Sequence, residues 1–436
     1  MEDRRDFLKA AGAALTTQIF TGNIKGANDR VAVAFIGMCR MGMGNLSSAL
    51  RQPGVEAVAV CDVYQPHLEK AVAASARGPK NEPEFRKPAR AVKDFREILA
   101  DKSIDAVCIS TPDHWHAYMT VEACKVGKDV YVEKPICVTI DEGQKMVRAA
   151  RKYNRVVQVG TQQRSGIHFQ KACELVRSGY IGRVTFCRTW NFGNMKEDGI
   201  GSPPDTAPPP DLDWEMWLGP APAHSFNANR FGVDPKAFSH FRWFWDYAGG
   251  MMTDWGIHLL DIAQMAFDEA CPTAITALGG KYFVKDNRDT PDTLQVTYEY
   301  PGFVCTYENR MCNGQSMFNH GYGTLFHGTK GTLFVDRSEY QVIPERDSGI
   351  EPIQEKSSNN HSLDHWANFL ECIRTRQRPR SDIEIGHKST STAILGNVSL
   401  RSKLRVDWDP KSETTPQAEA RPYLRREYRR PWKLEV

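Results

Sequence analysis

Hydrophobic positions in the first third of the chain form short unbroken runs, and stretches with helical spacing separate them. The apolar runs cover residues 31–37, 56–62, 105–110, 129–133 and 156–160. The stretches with helical spacing lie near residues 65–76, 115–126 and 141–152. Continuous apolar runs are typical of strands that are covered on both faces, and strands that alternate with helices indicate a parallel sheet. The pattern therefore predicts an α/β domain with a doubly wound parallel sheet.

After about residue 166 the pattern changes to short runs rich in β-branched and aromatic residues, several of them joined by glycine or proline turns such as "EYPGFV" and "HGTKGT". This pattern predicts an α+β domain with an open, largely antiparallel sheet. Residues 193–248 form a long insertion, and its proline-rich part, 201–222, is predicted to lack regular helix or sheet. Two further helices are expected over residues 361–375 and 381–403.

The changes of pattern divide the chain into four parts. A leader covers residues 1–30, the parallel-sheet domain covers 31–165, and the antiparallel-sheet domain covers 166–360. Residues 361–436 supply helices and a tail that are expected to pack back on both domains.

Composition excludes several classes of partner. The 436 residues include 56 basic and 53 acidic side chains, for a net charge of +3, so there is no electrostatic case for nucleic acid or an anionic membrane surface. No run of 18 apolar residues occurs, and no membrane-spanning helix is expected.

The first twenty residues, "MEDRRDFLKAAGAALTTQIF", place Arg4-Arg5 before a short apolar run and resemble a twin-arginine export signal. This resemblance predicts a periplasmic protein that crosses the membrane already folded. The eleven cysteines include no Cys-x-x-Cys pair and are expected to stay reduced. The alternative is a frayed basic N-terminus, which would leave the protein in the cytoplasm.

The segment "GMCRMGMG" directly follows the first apolar run and opens a helical stretch. It matches the G-x-G-x-x-G pattern of dinucleotide-binding Rossmann domains, except that Cys39 replaces the second glycine. Gly37 allows the sharp turn, Gly42 allows close packing of helix on strand, and the helix N-terminus would face a pyrophosphate. The Cys39 side chain would crowd the space in which the pyrophosphate comes closest to the loop. Asp62, at the end of the second apolar run, could accept hydrogen bonds from a ribose diol and repel a 2′-phosphate, which favours NAD over NADP. The alternative interpretation is that Asp62 is only a turn residue.

Three polar clusters lie at the carboxyl ends of predicted strands, where such sheets bind ligands: "STPDHWH" (110–116), "EKP" (133–135) and "GTQQR" (160–164). We assign Arg164 to the substrate. Lys134 is either a solvated surface group or a lysine held over the nicotinamide ring, where it donates to a substrate oxygen. The residues assigned to the cofactor are Gly37, Cys39, Gly42, Asp62, Thr111, Pro112, His116, Glu133 and Gln162.

The segment "GGMMTDWGIHLLD" predicts a helix that begins after Gly249-Gly250 and places Asp254 and His258 on one face. Two other interpretations are an ion pair on a helix surface and a metal site, for which His114 and His116 could add ligands. A metal is not predicted, because zinc sites usually have three or four protein ligands.

Aromatic residues are concentrated just before this segment, in "FRWFWDYAGG". Trp243, Trp245 and Asp246 are assigned to substrate binding, because ring faces cover the C–H surfaces of a sugar while polar groups bind its hydroxyls. Alternatively, the rings only pack the insertion onto the sheet.

Over most of residues 31–405 the chain resembles the Gfo/Idh/MocA oxidoreductase family. The resemblance is carried by "AFIGMCRMG", "STPDHWHA", "VEKP" and "DWGIH". It implies that Lys134 is the catalytic lysine and that Asp254 and His258 form the family's Asp-x-x-x-His pair. It also implies a homodimer or homotetramer in which the open sheet is buried between subunits.

The expected function is an NAD-dependent oxidoreductase that acts on a hydroxyl or keto group of a sugar or polyol. An exported enzyme of this kind should hold its cofactor tightly and recycle it. One alternative is a glycosidase that oxidises C3 transiently; the N-acetylgalactosaminidases of this fold are understood to lack the lysine that Lys134 matches. A second alternative, suggested by Cys39, is a non-catalytic sugar-binding scaffold.

Overall fold

The first domain contains a six-stranded sheet in which all neighbouring strands are parallel, in the order β3-β2-β1-β4-β5-β6. The computed structural model describes residues 30–77, 87–232 and 240–436, so the twin-arginine segment lies outside the described residues. The strands are β1 Val31–Ile36, β2 Val55–Cys61, β3 Arg90–Val92, β4 Ala106–Ile109, β5 Asp129–Val132 and β6 Val157–Val159. The predicted fold class is confirmed here, and only the short edge strand β3 was not predicted.

Helices connect these strands and cover the sheet. They are α1 Arg40–Ala49, α2 Gln65–Ser75, α3 Phe95–Ala100, α4 Asp113–Lys125 and α5 Ile140–Lys152. A later helix, α10 His361–Thr375, joins the same core: Trp366 stacks on Tyr131 with ring centroids 4.6 Å apart, and Phe369 is fully buried beside them. The C-terminal part of the chain therefore packs on the parallel sheet.

The second domain contains a nine-stranded sheet in the order β14-β13-β12-β11-β7-β10-β9-β8-β15. Its neighbouring strands are antiparallel except β7 and β10, which are parallel, so the largely antiparallel sheet is also confirmed. The strands are β7 Val184–Phe192, β8 Ala274–Gly280, β9 Thr293–Tyr300, β10 Phe303–Arg310, β11 Tyr322–Gly328, β12 Gly331–Val335, β13 Glu339–Pro344, β14 Ile353–Lys356 and β15 Val406–Asp407.

Helices cover one face of this sheet. Strand β9 alternates strictly, with Val296 and Tyr298 buried and Thr297 and Glu299 exposed. The helices of this part are α6 Ile167–Arg177, α7 Trp214–Leu218, α8 Ala228–Phe231, α9 Ile257–Ala266 and α11 Ile383–Ser402. Within the described ranges, no helix combines the length and the apolar character needed to cross a bilayer.

The insertion between β7 and α9 contains a short helix that the sequence did not predict. This helix, α7, lies inside the proline-rich segment. The Asp213 carboxylate accepts a hydrogen bond from the Met216 N–H (2.9 Å) and so caps and stabilises its first turn. The insertion also contacts the loop after β2. Asp213 N–H donates to Val63 O (3.0 Å), and Gln65 N–H donates to Asp211 O (3.0 Å). The insertion thus bridges to the parallel-sheet domain.

The segment with Asp254 begins as a π-helix, Met252–Gly256, and continues as α9. The predicted helix start after the glycine pair is correct, but its first turn is wider than an α-turn. Gly250 has φ +65°, and a Cβ added there would lie 2.8 Å from the Thr290 Cβ. Isolated π-helical turns occur frequently at functional sites.

Candidate active site

A cleft of about 540 Å³ lies at the carboxyl ends of the parallel strands and extends to the second sheet. Its size is typical of a site for a small molecule. The residues predicted from sequence that line it are Gly37, Cys39, Asp62, Thr111, Pro112, His116, Glu133, Lys134, Gln162, Asp254 and His258.

The glycine loop has the geometry of a phosphate cradle. Gly37 has φ +86°, and a Cβ there would lie 2.7 Å from the Ser110 carbonyl. A Cβ at Gly42 would lie 1.9 Å from Gly37 O, so α1 packs directly on the loop. Cys39 has φ −79° in an extended conformation just before α1, so its backbone does not require glycine. Only its side chain, which lines the cleft, departs from the pattern.

We expect Gly42→Ala to lower the free energy of unfolding by about 1–3 kcal/mol and to weaken dinucleotide binding, because the added methyl group overlaps Gly37 O. Thermal melting and titration with NADH measure both effects. Gly44→Ala is the matched control: it lies in the same helix, no atom is within 4 Å of its added Cβ, and it should be neutral or stabilising. Equal melting temperatures and equal NADH affinities of the two variants would contradict the close packing of α1 on the glycine loop.

Asp62 is bound to the glycine loop. Its Oδ2 accepts a hydrogen bond from the Met38 N–H (2.6 Å), and its Oδ1 accepts one from the Tyr64 N–H (2.9 Å). His67 Nδ1 lies 3.5 Å from Oδ2. Burial alone would lower the pKa of His67, but Asp62 and Cys39 raise it to about 9. At pH 7 the His67 side chain is therefore a positively charged imidazolium next to the Asp62 carboxylate. Its charge weakens the repulsion that this carboxylate was expected to exert on the 2′-phosphate of NADP.

Two buried polar oxygens next to the cleft lack partners among the described residues. Glu133 Oε1 accepts hydrogen bonds from Asn45 (2.9 Å) and Gln162 (3.0 Å), whereas Glu133 Oε2 and Thr111 Oγ1 have none. Burial raises the pKa of Glu133. Unpaired buried polar groups are costly, so these atoms fit a ligand with amide and hydroxyl groups. Together with the glycine cradle, they make the cleft suitable for a nicotinamide dinucleotide.

His116 connects two loops of the cleft. Its Nδ1 lies 2.7 Å from Pro135 O and its Nε2 lies 2.8 Å from Thr111 O. Burial lowers the pKa of His116 to about 4, so the neutral ring donates to only one of these carbonyls at a time. His114 Nε2 lies 2.9 Å from Trp217 O. In the part of the chain that the structure describes, no three His, Cys, Asp or Glu side chains are arranged to hold a metal ion.

Lys134 and Asp254 meet across 120 residues of sequence. Lys134 Nζ donates to Asp254 Oδ1 (3.0 Å) and to the Asp254 carbonyl (2.8 Å), and Arg242 pairs with the other carboxylate oxygen. Burial would raise the pKa of Asp254, but Arg242 and Lys134 outweigh it and lower the pKa. The Lys134 side chain is 13% exposed, which excludes the interpretation of a solvated surface lysine. Asp254 therefore fixes the position of the ammonium group.

His258 lies in the same cleft and is 8% exposed. Its Nδ1 is buried without a hydrogen-bond partner among the described residues. Burial, Lys134 and Arg337 lower its pKa well below 6.5, so the imidazole is neutral at pH 7 and able to accept a proton. The Asp254 carboxylate bonds Lys134 and Arg242 instead of orienting this ring, and a surface ion pair between Asp254 and His258 is absent from the described contacts.

The residues of the cleft that the sequence assignment missed include two ionisable ones, Asp113 and Arg337. Asp113 begins α4 inside the polar cluster 110–116, where its position alone could have indicated it. Burial is the main cause that raises its pKa to about 8, with Asp254 adding to the effect and Lys134 opposing it. Asp113 is therefore mostly protonated at pH 7.

Ionisation of Asp113 above pH 8 adds negative charge next to Lys134. We expect kcat/KM to fall there, because this charge opposes negative charge that develops on a substrate oxygen. The Asp113→Asn variant should lose this decline while it keeps its activity at pH 7. A decline near pH 8 that persists in the variant would assign the titration to another group.

Four residues assigned to the substrate do not belong to the described lining of the cleft. Trp243 packs under Arg288, whose guanidinium carbon lies 4.1 Å from the ring centroid, and Trp245 packs under Arg401 (4.9 Å). Asp246 Oδ2 lies 2.8 Å from His224 Nε2. These two rings pack against arginines of the second domain, so the structure does not bring the three residues together with Lys134 and His258 in the cleft.

Arg164 is the fourth of these residues. It is 4% exposed and pairs with Asp261 (2.9 Å) and Glu269 (2.6 Å). Asp261, a buried acid 97 residues later in the chain, draws the guanidinium into the interior, so the structure does not place Arg164 in the lining of the cleft.

We expect Arg164→Met to lower the free energy of unfolding by about 3–5 kcal/mol, because Asp261 would remain buried without its partner. Chemical denaturation measures this. Arg177→Met, which removes a half-exposed arginine from the pair with Asp268, should cost less than about 1 kcal/mol. A change in substrate KM without loss of stability would return Arg164 to the substrate site.

Comparison with known proteins agrees with this architecture. Residues 31–161 match the model of an oxidoreductase family with an NAD-binding Rossmann fold, and residues 165–434 match the C-terminal alpha/beta domain of that family. The chain is 30% identical over 204 residues to a glycosyl hydrolase family 109 protein of Shewanella sp. (strain W3-18-1); the match covers 42% of this chain and 44% of that protein. The chain therefore matches less than half the length of this curated relative.

Two solved structures share the fold. Levoglucosan dehydrogenase in complex with NADH and levoglucosan has a TM-score of 0.67 at 18% identity, covering 89% of this chain and 100% of that one. The WlbA dehydrogenase from Bordetella pertussis in complex with NADH and UDP-GlcNAcA has a TM-score of 0.64 at 17% identity, covering 87% and 99%. From the match of both domains, this chain belongs to the Gfo/Idh/MocA oxidoreductase family and has an NAD-binding Rossmann domain.

Proposed function

We propose that the protein is an NAD-dependent oxidoreductase that acts on a hydroxyl or keto group of a sugar or polyol. The observation that carries this proposal is the convergence of Lys134 and a neutral His258 on one cleft, next to a glycine cradle. Sugar ligands in two solved structures of the same fold support this substrate class.

The chain's own residues supply binding and proton chemistry. The glycine loop and Asp62 would hold the dinucleotide, and Glu133 and Gln162 would bind near its nicotinamide, which accepts or donates hydride when bound. The neutral His258 accepts the proton of the substrate hydroxyl. Lys134, held by Asp254, stabilises negative charge on the same oxygen.

The insertion supports tight retention of the cofactor. It bonds the loop after β2 on both sides of Tyr64, and Phe231 packs edge-on against the Tyr64 ring with centroids 5.3 Å apart. Phe231 and Trp217 line the cleft together with Asp62. Ordered chain thus covers the part of the cleft near Asp62 and would slow the release of a bound dinucleotide.

Purification of the protein followed by desalting tests cofactor retention. We expect dinucleotide to remain bound, to be identified after denaturation as NAD, and to gain absorbance at 340 nm when one of a panel of sugars is added. Complete loss of dinucleotide would contradict retention. Loaded protein that gains no absorbance with any sugar would favour a non-catalytic scaffold.

A second candidate is an NAD-assisted glycosidase, favoured by the partial match to glycosyl hydrolase family 109 proteins. Lys134 favours net oxidoreduction. A nitrophenyl N-acetylgalactosaminide separates the two: release of nitrophenol at a rate above that of sugar oxidation would establish the glycosidase.

Export by the twin-arginine route to the periplasm remains part of the proposal, with the cytoplasm as the alternative if the leader is not functional. A homodimer or homotetramer is also proposed. Leu278, on the second sheet, is 75% exposed, and burial of such a face between subunits would remove apolar surface from water. Light scattering during gel filtration measures the assembly, and a monomer would contradict it.

A further inference from the structure

Arg337 enters the cleft from the turn between β12 and β13 of the second sheet. Its guanidinium carbon lies 4.9 Å from the ring centroid of Trp255 and 6.0 Å from that of Tyr322. Trp255 lines the same cleft and follows Asp254 directly. The arginine therefore lies on an aromatic surface at the end of the cleft that holds Asp254 and His258.

The turn that carries Arg337 is fixed by its neighbour Asp336. Asp336 Oδ1 accepts hydrogen bonds from the Ser338 N–H (2.7 Å) and the Glu339 N–H (3.1 Å), and Oδ2 lies 2.9 Å from His320 Nδ1. The Asp336 carboxylate is thus occupied by the turn and by His320. Arg337 is therefore presented by a hydrogen-bonded turn, and its own side chain is exposed.

The charges at this end of the cleft do not balance. Lys134 and Arg242 share the single ionised carboxylate of Asp254, whereas Arg337 forms no ion pair or hydrogen bond with any residue that the structure describes. Asp113, the next carboxyl in the cleft, is mostly protonated at pH 7. One guanidinium is therefore left without an anionic partner.

We propose that Arg337 binds an oxyanion carried by the sugar, a carboxylate or a phosphate, so that the substrate is an acidic sugar. This inference rests on the proposed function and names its substrate class. A planar guanidinium pairs with either group through two parallel hydrogen bonds, and it stacks on aromatic rings without losing its donors. The anion would neutralise Arg337 while the sugar ring lies between it and Lys134.

Calorimetric binding to the NADH-loaded protein tests this without requiring turnover. The probes are pairs that differ in one charged group: glucuronate against glucose, galacturonate against galactose, and glucose 6-phosphate against glucose. We expect the acidic member of at least one pair to bind about tenfold tighter or more, since a charge-assisted hydrogen bond has about that effect. The uronate and phosphate pairs distinguish the two sources of the oxyanion.

The Arg337→Gln variant should lose that preference, retain its dinucleotide and bind neutral sugars as the wild type does. Arg337→Lys should recover part of the preference. Arg346→Gln is the matched control, because Arg346 is a 95% exposed arginine in a loop of the same sheet, and it should change nothing.

Equal binding of acidic and neutral sugars by the wild type would overturn the inference, and so would a preference that survives in Arg337→Gln. Loss of dinucleotide from Arg337→Gln would also overturn it, because the arginine would then serve the cofactor. If the protein oxidises sugars but binds acidic and neutral ones equally, the proposed function holds and this inference fails. If it prefers acidic sugars but oxidises none, the oxyanion site at Arg337 holds and the proposed oxidoreductase function fails.

Discussion

Replacing Lys134 with methionine is expected to lower the rate at which a sugar reduces the bound cofactor by about 10²- to 10³-fold. Methionine fills similar space but removes the charge that stabilises a developing alkoxide. Asp254 would keep Arg242 as a partner, so the cleft should stay folded. The rate is measured by the absorbance of NADH in a single turnover, with a sugar that the wild type oxidises.

The Lys134→Met variant should also retain its dinucleotide, since the glycine loop and Asp62 do not contact this side chain in the described structure. Lys145→Met is the control: Lys145 forms a half-exposed ion pair with Asp141 on α5, and its loss should leave the rate unchanged. A Lys134→Met variant as fast as wild type would remove Lys134 from the chemistry.

Replacing His258 with glutamine is expected to lower the rate of oxidation by about 10²- to 10⁴-fold, the usual contribution of a proton acceptor. Burial, Lys134 and Arg337 lower the pKa of His258 well below 6.5, so the wild-type ring is already neutral at pH 7. The wild-type kcat/KM should therefore be flat near neutrality. On the acid side it should fall only as the pH drops towards this lowered pKa, where the ring becomes protonated.

The pH profile separates this role from a merely structural one. The residual activity of His258→Gln should lack the acidic decline, because glutamine does not titrate. A decline at low pH that is identical in both proteins would show that another group accepts the proton. An acidic decline, in which activity falls as the pH is lowered, centred at pH 6.5 or above would contradict the burial of His258.

The parts of the fold with a strong local pattern could be predicted from the sequence. Unbroken apolar runs such as 31–37 and 129–133 became buried parallel strands, because a strand covered on both faces needs apolar residues on both. The short β-branched and aromatic runs joined by glycine or proline turns predicted the largely antiparallel sheet, and strand β9 with its alternating burial is one of its members. Lys134 could be predicted to be functional because a residue at the carboxyl end of a buried strand faces the cleft in such a sheet.

The parts that depend on distant partners could not be predicted. Arg164 also follows a strand of the parallel sheet, yet a buried pair with Asp261 draws it away from the cleft. Arg337 reaches the cleft only because the register of the second sheet brings the turn after β12 there. Local spacing could not distinguish a π-turn at Asp254 from an α-turn, because both place Asp254 and His258 in one continuous helical segment after Gly249-Gly250.

The most direct test of the central claim is a double-mutant cycle on Lys134→Met and His258→Gln, measured as single-turnover reduction of the bound cofactor. If both side chains act on one substrate oxygen, the double variant should be about as slow as the slower single variant, because either change already disrupts the same proton transfer. A double variant slower by the product of the two single effects would contradict the account, because the two groups would then act independently.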